Sequence, residues 1–253
     1  MGTPNIPLIE MHDKNGGNWP TKKDYIGKEL QAAGWVSGYC SGHSVNWADK
    51  STIKETIRTC FETDRWGSTY LLFDWEPAEL TVDNLQIFYD KCLITRNEIK
   101  KKEAEHGRRL YFGTYHLPCT TYQKRALAED DPREIILKQV RPLLDFQTVT
   151  AYMANSSGDI VREGERCRES IKAIRVWDPT LKVIVLMNAR KVYKSEGAFY
   201  PSFLYTFHYQ NVMGFRPDAI ADWVALIPLE DVRDANGGMM LVSARYIRER
   251  VKK

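Results

Sequence analysis

No stretch of this 253-residue chain approaches the ~20 consecutive apolar residues that a membrane-spanning helix needs. The opening residues, Met1-Gly2-Thr3-Pro4-Asn5, lack the charged-then-apolar plan of a secretory signal, and Ile6 stands where a myristoylation motif wants Ser or Thr. A soluble protein is expected, with no signal peptide or transmembrane segment in this chain, made without export by that route or already processed. Cysteine is scarce: Cys40, Cys60, Cys92, Cys119 and Cys167 are odd in number and scattered, and no Cys-x-x-Cys occurs. That argues against a zinc cluster or a dense disulfide frame, and leaves mostly buried free thiols with room for one bridge. Charge of one sign is also lacking: Lys+Arg 36 against Asp+Glu 33 gives +3, too slight to imply nucleic acid or an anionic membrane surface as partner. The segment after the first apolar run, Asp13-Lys14-Asn15-Gly16-Gly17, is not a dinucleotide fingerprint, and no Walker motif exists, which disfavours a nucleotide enzyme. No carboxylate–His cluster has metal spacing, so neither metal nor other cofactor is expected. No repeat, low-complexity tract or linker stands out, and one domain over 1–253, acting as a monomer, is expected.

What is present is an alternation of short apolar runs with helical patterns. Ile6–Met11 reads as a strand, Lys22–Ala33 as a helix stopped by Gly34, and Trp35–Cys40 as a second strand. Asp49 caps a helix from Lys50 to about Arg65, with Ile53, Ile57, Cys60 and Phe61 at helical spacing. Tyr70–Phe73 is a third strand. Thr81 caps a helix from Val82 to Glu105 that turns Leu85, Phe88, Cys92 and Ile99 inward. Leu110–His116 is a strand, Pro132–Leu144 a helix with proline in its first turn, Gln147–Met153 a strand and Ile160–Val176 a helix. Leu181–Met187 is a strand whose near-continuous Leu/Val/Ile marks full burial. Tyr200–Phe215 reads as a helix, Asp222–Pro228 as a last strand and Met239–Val251 as a closing helix. Strands alternating with helices imply a parallel sheet with helices outside. Short apolar strands in about seven strand-helix units favour an α/β, distorted TIM-like (β/α) barrel over an open sheet.

The most informative residues close the third strand. Asp74-Trp75-Glu76-Pro77 follow Tyr70-Leu71-Leu72-Phe73, and Pro77 ends the ladder. Strand side chains alternate faces, so Asp74 and Glu76 point the same way at the carboxyl end of an apolar strand, where barrel enzymes keep their sites. Like charges that close resist double ionisation, so one of the two is expected to hold a proton near neutrality. A carboxylate beside a carboxylic acid is what glycoside hydrolysis uses.

Seven units with Asp74-Trp75-Glu76 on the third strand resemble the hyaluronidase family of glycoside hydrolases, whose fold is a distorted (β/α) barrel with fewer than eight regular strands. Phe112-Gly113-Thr114-Tyr115-His116-Leu117-Pro118-Cys119 is similar to that family's next strand, and Thr148-Val149-Thr150-Ala151-Tyr152-Met153 is loosely similar to the one after it. The likeness is scattered over roughly half the chain. The last expected strand departs from the family, ending in Leu226-Ile227-Pro228 with Trp223 at its start, where the family places a Trp at the end. Barrel lysozymes also carry an Asp-x-Glu strand, and Gly113-Thr114-Tyr115-His116 is faintly similar to their Gly-x-Tyr-His.

The expectation is a retaining endo-glycosidase acting on a polysaccharide or oligosaccharide that contains N-acetylhexosamine. Glu76 is the expected general acid. Asp74 is a poor nucleophile, because neighbours on one strand approach one side of the sugar, whereas the usual pair flanks the bond about 5 Å or more apart. The resemblance implies instead that the substrate's own acetamide attacks the anomeric carbon while Asp74 orients it. Tyr115 and Tyr152, at the tips of the fourth and fifth strands, are candidates to donate hydrogen bonds there. Glu10 and His12 at the end of the first strand, Asn188 after the sixth, and Trp47 and Trp223 as stacking platforms are candidate substrate-binding residues. Two alternatives stay open within sugar recognition, a non-catalytic glycan-binding barrel and a lysozyme-like peptidoglycan hydrolase. A lyase or aldolase would want a buried Lys or a metal in the barrel, and only Lys191, beyond the sixth strand, comes near.

Overall fold

The computed structural model describes residues 6–11, 30–36, 49–63, 67–75, 80–115, 127–152, 157–188, 202–222, 243–246 and 249. They contain seven strands: β1 (Leu8–Met11), β2 (Leu30–Val36), β3 (Tyr70–Asp74), β4 (Tyr111–Tyr115), β5 (Phe146–Thr150), β6 (Lys182–Met187) and β7 (Ala219–Asp222). Five α-helices are described with them: α1 (Lys50–Glu62), α2 (Val82–His106), α3 (Pro132–Val140), α4 (Ser157–Trp177) and α5 (Ser202–Gly214). The strands follow chain order from β1 to β7 and pair in parallel. This is the α/β, TIM-like barrel class expected from the alternation. No helix among the described residues is long and apolar enough to cross a membrane.

The helix starts follow local chemistry. Asp49 caps α1, its Oδ1 accepting the Thr52 N–H at 2.7 Å. Thr81 caps α2 by accepting the Asn84 N–H at 3.2 Å, and Gly107 ends that helix in the left-handed region at φ 66°. Asp131 caps α3 ahead of Pro132, and its side chain accepts the Arg133 N–H at 2.9 Å. The expected continuation of that helix to Leu144 is not made. Pro142 cannot donate the next helical hydrogen bond, and residues Arg141–Leu143 form a 3-10 turn.

The chain divides into two compact units. One comprises Ala33–Thr148 and Ile174–Lys182. Within it β2, β3, β4 and β5 pair in order, with Trp35 opposite Leu72, Asp74 opposite Tyr115, and Gly113 opposite Phe146. Phe73, Trp75 and Phe112 lie on the face toward α2: Trp75 stacks on Phe88 at 4.6 Å, and Phe73 meets Phe112 edge-on at 5.7 Å. On the opposite face Tyr70 stacks on Tyr111 at 5.3 Å and meets Phe146 edge-on at 5.7 Å. At the amino ends of these strands Asp145 is held by Arg96 at 2.7 Å, Arg109 at 2.8 Å and the Phe112 N–H at 2.9 Å.

The other unit comprises Met1–Ala32, Val149–Ala173 and Val183–Lys253. In it β7 lies between β6 and β1, with Val185 opposite Ile220 and Ile220 opposite Leu8. Val183, Val185, Leu186, Ile220 and Ala221 are buried. Helix α5 buries Tyr205, His208, Tyr209 and Val212 on one face and leaves Phe203 and Phe207 exposed.

Other expectations need correction or restriction. Residues Leu30–Ala33, expected at the end of a helix, belong to β2, and Gly34 sits inside that strand opposite Leu71. Leu-Gln-Ala-Ala has good helix propensity, and its place in the strand that pairs with β3 from Ala33 onward overrides it. The last described strand starts at Ala219, ahead of the expected start at Asp222. The more apolar run after it drew the expectation, whereas the ladder with β1 and β6 already includes Ala219–Asp222. Residues 22–29 and 223–228 lie outside the described residues, and of the closing helix residues 243–246 and 249 are described, all helical. Cys92 and Cys167 are free and buried, Cys60 is buried, and Cys40 and Cys119 lie outside the described residues.

Candidate active site

Position 74 owes its place to alternation along β3. Leu71, Phe73 and Trp75 pack toward the helix side, so Tyr70, Leu72 and Asp74 face the other way. On β4, Phe112 packs on Phe73, which leaves Tyr111, Gly113 and Tyr115 on the face shared with Asp74. Asp74 and Tyr115 are register partners at the carboxyl ends of adjacent parallel strands, whose backbones run about 4.8 Å apart. Asp74 is half-buried and Tyr115 is buried. Two steps back along each strand lies the aromatic layer of Tyr70, Tyr111 and Phe146.

That layer depends on a missing side chain. The Phe146 ring and its carbonyl oxygen lie where a Cβ on residue 113 would go, so glycine there lets β4 and β5 approach with the ring laid across the backbone. Thr148 continues the contact upward, its hydroxyl donating to the Thr114 carbonyl at 3.2 Å. Asp74 and Tyr115 thus stand above a packed aromatic floor.

The remaining candidates belong to the other unit or lie outside the described residues. Tyr152 follows β5 and Asn188 follows β6; both are half-buried and belong to the other unit. There the Ala151 N–H donates to the Leu186 carbonyl at 2.8 Å, which brings the ends of β5 and β6 together and with them the positions of Tyr152 and Asn188. Glu10 has its backbone in β1 opposite Asp222, and its side chain lies outside the description. Glu76, His12, Trp47 and Trp223 lie outside the described residues.

Two groups near strand ends escaped the sequence reading. Asp222 closes β7, is fully buried, and accepts a hydrogen bond from the Tyr205 hydroxyl of α5. His208, one turn further along α5, is fully buried with Nε2 2.6 Å from the Ala151 carbonyl oxygen. Burial pulls its pKa below the usual imidazole value, against the opposing influence of the Ala151 hydrogen bond and the Glu163 charge. An acid ending a short apolar run was the available signal for Asp222. Nothing local marks His208, whose partner is 57 residues away in sequence. Among the described residues no three His, Cys, Asp or Glu side chains gather as a metal site would require.

No protein-family model matches the chain, and no curated protein matches it in sequence. Solved structures do resemble its backbone. Bee venom hyaluronidase is 11% identical with a TM-score of 0.47, over 84% of this chain and 81% of its own. A sugar phosphate isomerase/epimerase from Parabacteroides distasonis is 16% identical with a TM-score of 0.47, over 96% and 86%. The active domain 2 of a thermostable chitinase from Pyrococcus furiosus is 14% identical with a TM-score of 0.44, over 89% and 74%. These are hydrolases and an isomerase alike, and the likeness assigns no chemistry to this chain.

Proposed function

We propose that the chain is a glycoside hydrolase, a retaining endo-glycosidase that cleaves a polysaccharide containing N-acetylhexosamine with the help of the substrate's own acetamide. The observation that carries this reading is the pairing of Asp74 with Tyr115 on one face, at the carboxyl ends of two adjacent parallel strands. A carboxylate and a phenol side by side can grip an amide from both ends: the carboxylate accepts the acetamide N–H and the phenol donates to a sugar or acetamide oxygen. In the proposed reaction Glu76 gives its proton to the leaving glycosidic oxygen while the acetamide oxygen bonds to the anomeric carbon. Asp74 holds the acetamide and offsets the positive charge that grows on it. Water then opens the cyclic intermediate at the same carbon, giving its proton to the Glu76 carboxylate, so configuration is retained.

Reducing-end release from hyaluronan, chondroitin, chitin oligomers and peptidoglycan tests this. Glu76→Gln should lose about 10²-fold or more in kcat on the glycan that is cut. Tyr115→Phe, which removes one hydrogen-bond donor, should lose about tenfold. A de-N-acetylated substrate should be cut far more slowly than its parent, and equal rates would exclude the acetamide route. A wild-type protein that binds one of these glycans without cutting any would instead favour the binding barrel.

A further inference from the structure

We infer that His208 is a positioning residue: in its neutral Nε2–H form it clamps the end of β5 and so sets where Tyr152 stands. The carbonyl oxygen of Ala151 can only accept, so the nitrogen 2.6 Å from it must carry the hydrogen. Its ring partner Nδ1 is buried and has no hydrogen-bond partner among the described residues, which a neutral ring tolerates as an unused lone pair. The same residue, Ala151, donates its N–H to Leu186 at 2.8 Å. β6 therefore holds one side of the β5 tip and α5 holds the other, and Tyr152 is the next residue along.

The clamp has a built-in sensitivity. A second proton on the ring would create an Nδ1–H with no acceptor among the described residues, together with a charge in a fully buried place. Among the described residues, Glu163 of α4 is the charged group whose field reaches the ring, and it is shared with Arg166 at 2.9 Å. β7 presents Asp222, which is taken up by Tyr205. At the contact itself β5 and β6 present Ala151 and Leu186, which carry no charge. Nothing described would stabilise the imidazolium enough to keep the ring in place, so acidification releases the tip of β5. The consequence for turnover rests on the glycosidase reading above, whereas the clamp itself does not.

Imidazole ¹⁵N shifts at pH 7.5 should report the neutral Nε2–H tautomer. Amide hydrogen exchange, corrected for intrinsic rates, should show protection at Ala151 falling roughly tenfold more than at residues 183–185 between pH 7.5 and 5. His208→Gln keeps an N–H donor of similar reach and does not titrate, so its Ala151 protection should stay level with pH. His208→Phe should lose that protection at both values. An Nδ1–H tautomer, or the same pH dependence in wild type and His208→Gln, would overturn the clamp even if His208→Phe fails to fold. On a glycan that is cut, the acid limb of kcat/KM should move to lower pH in His208→Gln. If no glycan is cut, the glycosidase reading fails while the exchange measurements still decide the clamp.

Discussion

Residue 113 carries the closest packing under the candidate site. With the Phe146 ring and carbonyl oxygen already occupying the space beside its Cα, even a methyl group must push β4 and β5 apart. Gly113→Ala should therefore cost about 1–3 kcal/mol of stability, read from urea unfolding, as overpacked cores do. Phe146→Leu in the same chain should recover part of that loss, because it removes the ring but not the backbone oxygen. The buried thiols show a different residue-scale effect. Burial pushes Cys167 up to about 12 and Cys92 upward as well, so in the folded protein neither supplies a thiolate near neutrality.

Between elements, Asp145 forms a polar joint with two cations. Arg96 of α2 is almost fully buried, donates through Nε to the Leu143 carbonyl at 2.7 Å, and pairs with Asp145 at 2.7 Å. Arg109 meets the same carboxylate at 2.8 Å from a largely exposed position. Arg96→Leu should cost about 3 kcal/mol in chemical unfolding, because a half-buried carboxylate loses its closest and most buried partner and a carbonyl its donor. Arg109→Leu should cost less than about 1 kcal/mol, since water already screens that pair. Elements also show what could be read locally. The starts of α1 and α2 were legible because Asp49 and Thr81 act on backbone groups three residues away. β2 and β7 were expected to start later than they do because nothing within a few residues separates Leu30–Ala33 from a helix, or starts a strand at Ala219 rather than at Asp222. Their strand neighbours make both choices, and β3, β1 and β6 are distant in sequence.

For the molecule as a whole, His208 links folding to pH. Its folded pKa lies below the ordinary value of 6.5, so as pH falls the unfolded chain takes up this proton first. The stability it supports is complete above about 6.5 and drains as pH drops toward the lowered folded value, at up to about 1.4 kcal/mol per pH unit. The exposed carboxylates held low by hydrogen bonds, Asp49 at about 2 among them, lose their contributions only at more acid pH. Urea midpoints between pH 7.5 and 5 should therefore fall in wild type and fall less in His208→Gln. An identical slope in both would show that this histidine does not carry the acid sensitivity.

The sequence by itself determined the class of the fold, because alternating apolar runs and capped helices are properties of neighbours along the chain. It also determined that Asp74 faces away from Trp75, because alternation in a strand is a matter of bond geometry. That Asp74 comes to lie beside Tyr115, that Gly113 must stay bare under Phe146, and that His208 reaches Ala151 were decided only in the tertiary structure. Each of these depends on which strand pairs with which, and in what register. That choice is made by burying apolar surface and closing hydrogen bonds between segments far apart in the chain, where no local pattern reports it.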